Sequence, residues 1–199
     1  MKVVVFDFFG VICSEIAPYV LPKYLSPETA IEIKRTLVHE ADLGLISQDD
    51  MFERLALTTG VPATRLEEEF WAHVRIDSDV VNLIEGLRLT YRVALLTNAI
   101  VPIAREIFAR HNIEHLFETI LVSSEEGMAK PDPAFYALLL NRMGARPGDC
   151  VMIDDNPDNI AGAKAAGMQG IHFESCGKLV RDLAGRYSIT PQTVARRFP

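Results

Sequence analysis

The sequence predicts an α/β fold with a parallel sheet, helices on both faces of that sheet and a small helical insertion. Short, continuously apolar runs such as Val93–Leu96 are typical of strands that are buried on both faces. These runs alternate with amphipathic stretches of helical length, which indicates βαβ units and therefore a Rossmann-like sheet. Residues 15–78 contain helical patterns only, so we expect a core of residues 1–14 and 79–199 interrupted by that segment.

The first half of the chain is predicted to form one strand followed by helices. Lys2–Phe6 is a short, β-branched apolar run, which predicts the first strand. Ser26, followed by proline and glutamate, marks the start of a helix. An apolar stripe that includes Ile31 and Leu37 continues this helix as far as Gly44.

Three more helices complete this part of the chain. Ser47 and Asp50 have the spacing of a capping box, and the helix that they open ends at Gly60. The next helix opens at Pro62, and Ser78–Leu89 is an amphipathic helix that leads back to the core.

The second half of the chain alternates strands and helices. The predicted strands are Val93–Leu96, Thr119–Val122, Cys150–Ile153 and Gly170–Phe173. The predicted helices between them are Pro102–His111, Pro133–Met143 and Asn159–Gly167.

Length and composition are those of an ordinary globular protein. The chain has 199 residues, of which 49% are hydrophobic and 24% charged. The formal net charge is −7 and there is no long basic run, which argues against a nucleic-acid partner. The longest uncharged stretch, Val93–Ala104, is too short to cross a bilayer, so we expect no membrane partner.

The cysteines and the first residues bear on localisation. Cys13, Cys150 and Cys176 are odd in number and lack CxxC spacing, which argues against a disulfide framework or a zinc site. From Met1 the chain runs directly into a strand pattern, without a basic-then-apolar leader. We therefore expect a cytoplasmic protein. As a separate expectation, the protein is a monomer or a homodimer.

Polar side chains follow the first four predicted strands. Because the carboxyl ends of parallel strands meet at one edge of a sheet, where ligands bind, we expect these side chains to lie together. They are Asp7, Thr97, Asn98, Lys130, Asp154 and Asp155.

The order and spacing of these residues resemble the four motifs of the haloacid dehalogenase-like hydrolase superfamily. Phe6–Val11 is similar to the first motif, DxDGT or DxDGV, and Leu95–Asn98 to the second. Lys130–Asp132 is similar to the third and Asp154–Asp158 to the fourth. The resemblance implies a hydrolase core, and it identifies residues 15–78 with the helical cap that one class of these enzymes carries after the first motif.

The resemblance implies an Mg²⁺-dependent phosphatase that acts on a small phosphorylated metabolite. Asp7 is the candidate nucleophile, whose carboxylate attacks phosphorus to form an acyl phosphate that water hydrolyses. Asp7, Asp155 and the backbone carbonyl of Phe9 are the candidate metal ligands. Asp154 is either a further ligand through water or a hydrogen-bond acceptor behind the ligands.

Other residues are candidates for contact with the substrate. Thr97, Asn98 and the backbone beside them are placed to donate hydrogen bonds to phosphoryl oxygens, and Lys130 to neutralise charge in the transition state. Asp42 and His39, near the turn between two cap helices, are expected to face the substrate, although they also fit an ordinary polar helix end.

The sequence departs from the phosphatase pattern at Phe9, where a second aspartate usually protonates the leaving group. One interpretation is a phosphatase whose substrate leaves easily, a sugar phosphate among the candidates, or which recruits an acid from elsewhere. A second is a metal-free 2-haloacid dehalogenase, because those enzymes have an aromatic residue here, but they lack the acidic pair at Asp154 and Asp155. A third is a non-catalytic binding or regulatory module.

Overall fold

A parallel five-stranded sheet is the centre of the structure, a computed structural model that describes residues 2–192. Met1 and residues 193–199 lie outside the described residues, so the two outer ends of the predicted core, residues 1–14 and 79–199, are described only in part. The strands are β1 (Val3–Phe6), β2 (Arg92–Thr97), β3 (Thr119–Val122), β4 (Cys150–Asp154) and β5 (Gln169–His172). Their order is β3-β2-β1-β4-β5, and every neighbouring pair is parallel, so the carboxyl ends of β2, β1 and β4 lie side by side.

The helices fall into two groups. Five α-helices belong to the segment of residues 15–78: α1 (Ala17–Val20), α2 (Pro27–Ile33), α3 (His39–Asp42), α4 (Gln48–Thr59) and α5 (Ala63–His73). The others surround the sheet: α6 (Ser78–Leu87), α7 (Val101–His111), α8 (Ser123–Glu126), α9 (Pro133–Met143), α10 (Pro157–Ala165) and α11 (Cys176–Tyr187). None of the helices within residues 2–192 is long and apolar enough to span a membrane.

Both faces of the sheet are covered by helices, because successive side chains of a strand point in opposite directions. Val4 and Phe6 belong to one buried cluster, which also contains the inner side chains of α6, α7 and α11. Val3 and Val5 belong to a second buried cluster with α9 and α10. The predicted α/β class with helices on both faces is therefore confirmed.

The helical segment between β1 and β2 is attached to the core by paired backbone. Ser14 donates its N–H to the carbonyl of Arg75 at 2.8 Å, and Asp77 donates its N–H to the carbonyl of Ile12 at 2.9 Å. The chain therefore leaves and re-enters the core at the same place. Apolar side chains of α4 and α5 belong to the same buried cluster as the first face of the sheet, so the segment packs on the core without a break.

Most predicted elements are confirmed, and the core strands and helices begin and end within two residues of their predicted limits. The capping box at Ser47 is present, and Gly60 ends α4 in the left-handed conformation. The predicted helix from about Pro27 to Gly44 is present, with a π-helical turn over Lys34–Val38 between α2 and α3. Its predicted apolar stripe is only partly buried, because Leu37 is 7% exposed whereas Ile31 is 68% exposed.

Two helices were not predicted. α8 is a single turn that directly follows β3, where polar residues resemble a loop. α11 is a full amphipathic helix whose buried residues are Leu179 and Leu183, and its glycines obscure the helical pattern in the sequence.

Candidate active site

A buried lysine connects the ends of two neighbouring strands. The Nζ atom of Lys130 lies 2.7 Å from Oδ1 of Asp7 and 2.6 Å from Oδ2 of Asp154. All three side chains are buried. Burial alone would lower the pKa of Lys130, but the two adjacent carboxylates raise it above its ordinary value, so the lysine is a cation here.

Asp7 is held through one of its two carboxylate oxygens. Oδ1 accepts hydrogen bonds from the backbone N–H of Phe8 at 2.6 Å and from Lys130. Burial raises the pKa of Asp7, and repulsion from the Asp154 carboxylate raises it further, although Lys130 opposes both effects. Both of these donors bind Oδ1, and neither binds Oδ2.

Asp154 is surrounded by donors from its own loop and helix. The side-chain amide of Asn159 donates to both of its oxygens, at 3.0 and 3.1 Å, and the N–H of Asn156 donates to Oδ1 at 2.9 Å. With Lys130 on Oδ2, each oxygen already has two donors. Asp154 therefore suits the role of a hydrogen-bond acceptor that fixes Lys130 better than that of a direct metal ligand.

Asn98 holds the backbone of Lys130 in place. Its side-chain amide donates to the carbonyl of Lys130 at 2.8 Å, and its side-chain oxygen accepts the N–H of Lys130 at the same distance. The adjacent Thr97 is fully buried, and its hydroxyl has no hydrogen-bond partner among the described residues. A buried hydroxyl without a partner is costly, so a hydrogen bond to a ligand would stabilise this atom.

Three carboxylates converge at the ends of β1 and β4. One oxygen each of Asp7, Asp154 and Asp155 lies within 4.8 Å of the others. Burial, with added repulsion from Glu15 and Asp154, raises the pKa of Asp155 to about 6. A cluster of this kind fits a divalent cation with oxygen ligands, which would offset the mutual repulsion.

Gly10 makes room for this cluster. Its φ is +84°, and a Cβ atom at this position would lie 2.2 Å from Oδ2 of Asp155. Only glycine allows the carboxylate to approach the loop after β1 so closely. The glycine of the first motif is therefore explained by the position of Asp155.

A cavity of about 210 Å³ opens from these carboxylates toward the helical segment. Asp7, Asp155 and Asn98 line it at the strand ends, as does Phe9. Asp42 lines it from α3. His39 is exposed and does not line this cavity, so the structure does not bring it to the other predicted site residues.

Sequence reasoning missed Asn159, which lines the cavity and binds both oxygens of Asp154. Its backbone carbonyl accepts the hydroxyl of the buried Tyr136 at 2.7 Å, which fixes the first turn of α10. Its position in the sequence could have indicated this role. Asn159 is five residues after Asp154, and because α10 starts at Pro157, the first turn of the helix places Asn159 beside the end of β4.

Comparisons with known proteins agree with this geometry. A family model described as haloacid dehalogenase-like hydrolase matches residues 1–167. A sesquiterpene phosphatase of Aspergillus oryzae is 27% identical over 176 residues, which cover 86% of this chain and 89% of that enzyme. A phosphoserine phosphatase of Thermus thermophilus is 34% identical over 90 residues, 45% of this chain and 36% of that enzyme.

A solved structure has the same fold. It is a HAD family enzyme from Bacteroides thetaiotaomicron in complex with magnesium and inorganic phosphate, 22% identical to this chain. It covers 91% of this chain and 100% of its own, with a TM-score of 0.74. Since the family model matches far more than half of the chain, the protein belongs to the haloacid dehalogenase-like hydrolase family.

Proposed function

We propose that this hydrolase is an Mg²⁺-dependent phosphatase that acts on a small phosphorylated metabolite through an aspartyl-phosphate on Asp7. The observation that carries the proposal is the buried Lys130 between Asp7 and Asp154, with Asp155 completing the carboxylate cluster. The names of the two phosphatase relatives support it. Two like-charged carboxylates held beside one lysine make a site for an anion only if a further cation joins them.

Asp7, Asp155 and the carbonyl of Phe9 are the ligands that we propose for Mg²⁺. They offer the oxygen atoms that this ion prefers, and the two carboxylates are already close together. When bound, Mg²⁺ supplies the positive charge that lets an anionic nucleophile and an anionic phosphoryl group approach each other. Asp154 keeps its four hydrogen bonds and orients Lys130.

The nucleophile is the carboxylate of Asp7, which Phe8 and Lys130 orient through Oδ1. As the new bond from a carboxylate oxygen to phosphorus forms, the bond from phosphorus to the alcohol oxygen breaks, and that oxygen takes up a proton. Water then attacks phosphorus, which releases inorganic phosphate and restores the carboxylate. Lys130 neutralises charge that develops on the phosphoryl oxygens, and the Thr97 hydroxyl donates a hydrogen bond to one of them.

Phe9 cannot supply the proton for the leaving oxygen. Asp42 lines the same cavity, and burial raises the pKa of its carboxyl to about 7, with Glu15 raising it and Lys34 and Lys130 lowering it. A carboxyl with this pKa carries a proton in a large fraction of molecules near neutral pH. We therefore assign Asp42 a place facing the substrate, where it can donate to the departing oxygen.

Residues 15–78 are proposed to act as a cap on a core formed by residues 1–14 and 79–199. The turn after α3 supports this, because a Cβ atom on Gly44 would lie 2.6 Å from the carbonyl oxygen of Ser124 in the core. On another side, the Arg110 guanidinium lies 4.3 Å from the centre of the Trp71 ring. A cap held at two places excludes water from the strand ends and protects an acyl phosphate.

One observation favours a second candidate, a metal-free 2-haloacid dehalogenase. Phe9 stands where that class of enzyme has an aromatic residue, and halide needs no proton to leave. Asp155 argues against a dehalogenase, because its carboxylate lines the cavity and would repel a carboxylate substrate. A binding module without activity is the third outcome.

The test is phosphate release from a panel of phosphorylated metabolites with Mg²⁺ and with excess chelator. We expect release only with Mg²⁺, and none from Asp7→Asn. Asp79→Asn is the matched control, because this aspartate is exposed on α6 and has no part in the site. Phosphate release that survives in Asp7→Asn would overturn the mechanism, and halide release from a 2-haloacid without metal would support the second candidate.

A further inference from the structure

The cavity at the active site has two chemically different ends. At the strand ends it is lined by carboxylates and amides, including Asp7 and Asn98. At the other end α4 and α5 contribute only hydrocarbon and thioether surface. The side chains there are Met51, Phe52, Leu55, Leu66 and Phe70.

The apolar end is continued by the core. Ile100 and Ile103, at the start of α7, line the cavity opposite the cap helices. Hydrocarbon surface therefore comes from both sides of the space between the cap and the core. If the alcohol part of a phosphate ester entered this space, any further hydroxyl groups on it would find few hydrogen-bond partners. Burying a hydroxyl without a partner weakens binding.

The charges around the cavity give a second argument. Among the residues that line it within the described chain, Lys34 is the one lysine, and there is no arginine. Lys34 lies 3.3 Å from Glu15 and also lowers the pKa of Asp42, so two carboxylates already face it. A second anionic group on the substrate, such as a carboxylate or another phosphate, would therefore meet net negative charge.

We propose that the substrate is the phosphate monoester of a largely apolar alcohol, with its phosphoryl group at Asp7 and its hydrocarbon part between α4, α5 and α7. This inference rests on the proposed phosphatase function, whose site supplies the phosphoryl end. It excludes sugar phosphates, amino-acid phosphates and nucleotides as the main substrates, because each carries hydroxyl or charged groups that the apolar end cannot accept.

Binding of non-hydrolysable alkyl phosphonates tests the inference without depending on catalysis. The series is ethyl, butyl, hexyl and octyl phosphonate with Mg²⁺, measured by calorimetry against a hydroxylated phosphonate of equal length. Each added methylene should tighten binding by about two- to four-fold until the cavity is full. An affinity that is independent of chain length, tighter binding of the hydroxylated compound, or no binding of the series overturns the inference.

Two variants on α4 localise the effect. Met51→Gln places a polar side chain of similar size in the apolar end and should reduce the gain per methylene. Leu57→Gln is the control, because Leu57 is 87% exposed on the same helix and lies outside the cavity. An equal reduction in both variants would contradict the assigned position. If Met51→Gln does not fold, the series on the unchanged protein still decides the question.

Hydrolysis of acetyl phosphate, which has almost no apolar part, separates the two proposals. Mg²⁺-dependent turnover of acetyl phosphate without any chain-length effect would support the phosphatase and overturn the apolar substrate. Tighter binding of long phosphonates without turnover of any phosphate would support the apolar site and contradict the phosphatase.

Discussion

The strand ends and the cap form opposite walls of one cavity, and they are built in opposite ways. At the strand ends Asp7, Lys130 and Asp154 have fixed hydrogen-bond partners at 2.6–2.7 Å. On the cap wall, α4 and α5 present side chains such as Phe52 and Leu55, which belong to a buried hydrophobic cluster. In the function that we propose, the first wall positions the reacting atoms, whereas the second sets the shape and polarity of the substrate. Reaction type and substrate preference would then have separate structural origins.

The largest expected effect comes from removing the charge that links the two strand ends. Lys130→Met leaves Asp7 and Asp154 buried without their shared cation, and we expect the free energy of unfolding to fall by about 3–5 kcal/mol without Mg²⁺. Chemical denaturation of both proteins measures the difference. Lys178→Met is the control, because Lys178 pairs with Glu174 and Asp182 on the surface, and such pairs contribute about 0–1 kcal/mol.

Equal losses in the two lysine variants would contradict the distinction between a buried and a surface lysine. Addition of Mg²⁺ sharpens the result. If the proposed ligands are right, Mg²⁺ should raise the stability of Lys130→Met by more than that of the unchanged protein, because it offsets carboxylate repulsion that the lysine no longer opposes.

The next effect concerns the one acidic side chain that α3 contributes to the cap wall of the cavity. Burial raises the pKa of Asp42 to about 7, so the folded protein holds this proton more firmly than the unfolded chain does. The contribution of the protonated Asp42 carboxyl to the free energy of unfolding is therefore complete at low pH, and it is lost as the pH rises through about 7. The free energy of unfolding of Asp42→Asn, relative to that of the unchanged protein, should therefore increase by about 2 kcal/mol from pH 5 to pH 8.

Urea denaturation at several pH values checks the prediction for Asp42. Asp49→Asn, at an exposed position in the first turn of α4, is the matched control. A stability difference for Asp42→Asn that does not change with pH, or that changes in the other direction, would show that the carboxyl is not held protonated by its surroundings.

The smallest effect tests how closely the cap approaches the core. Gly44 and Gly60 have nearly the same left-handed φ, +71° and +72°, so replacement by alanine has a similar backbone cost of about 1 kcal/mol at each. At Gly44 the new Cβ would also lie 2.6 Å from the carbonyl oxygen of Ser124, whereas at Gly60 nothing lies within 4 Å. Gly44→Ala should therefore lose about 1–2 kcal/mol more in thermal or chemical unfolding, and it should lower kcat/KM.

The two glycine variants isolate the contact between the cap and the core. If Gly44→Ala and Gly60→Ala lose the same stability and keep the same kcat/KM, the turn after α3 does not position the cap, and the proposed closure over the strand ends needs a different contact.

The strand-end wall could be predicted from the sequence, and the cap wall could not. Asp7 follows β1, Asp154 ends β4, and Lys130 comes shortly after α8, which follows β3. Parallel strands bring such residues together at one edge of the sheet whatever the details of packing. The position of Asn159 depends on where α10 begins, which proline and asparagine decide locally, so it was missed. The strands and most of the core helices followed from apolar runs and caps, which are short-range signals.

The cap wall depends on how helices pack, which is a long-range property. Ile31 fits the apolar stripe of α2 yet is 68% exposed, and the stripe gives no sign of the π-helical turn over Lys34–Val38. His39 and Asp42 are three residues apart and both are polar, but of the two only Asp42 lines the cavity. The sequence could nominate both residues but could not choose between them.

The most direct test of the central claim is mass spectrometry of the protein after rapid acid quench during turnover of a phosphorylated substrate with Mg²⁺. The account predicts one phosphoryl group on the peptide that contains Asp7, and none on that peptide in Asp7→Asn. Turnover with no phosphoryl group on this peptide, or with the group on another residue, would contradict Asp7 as the nucleophile.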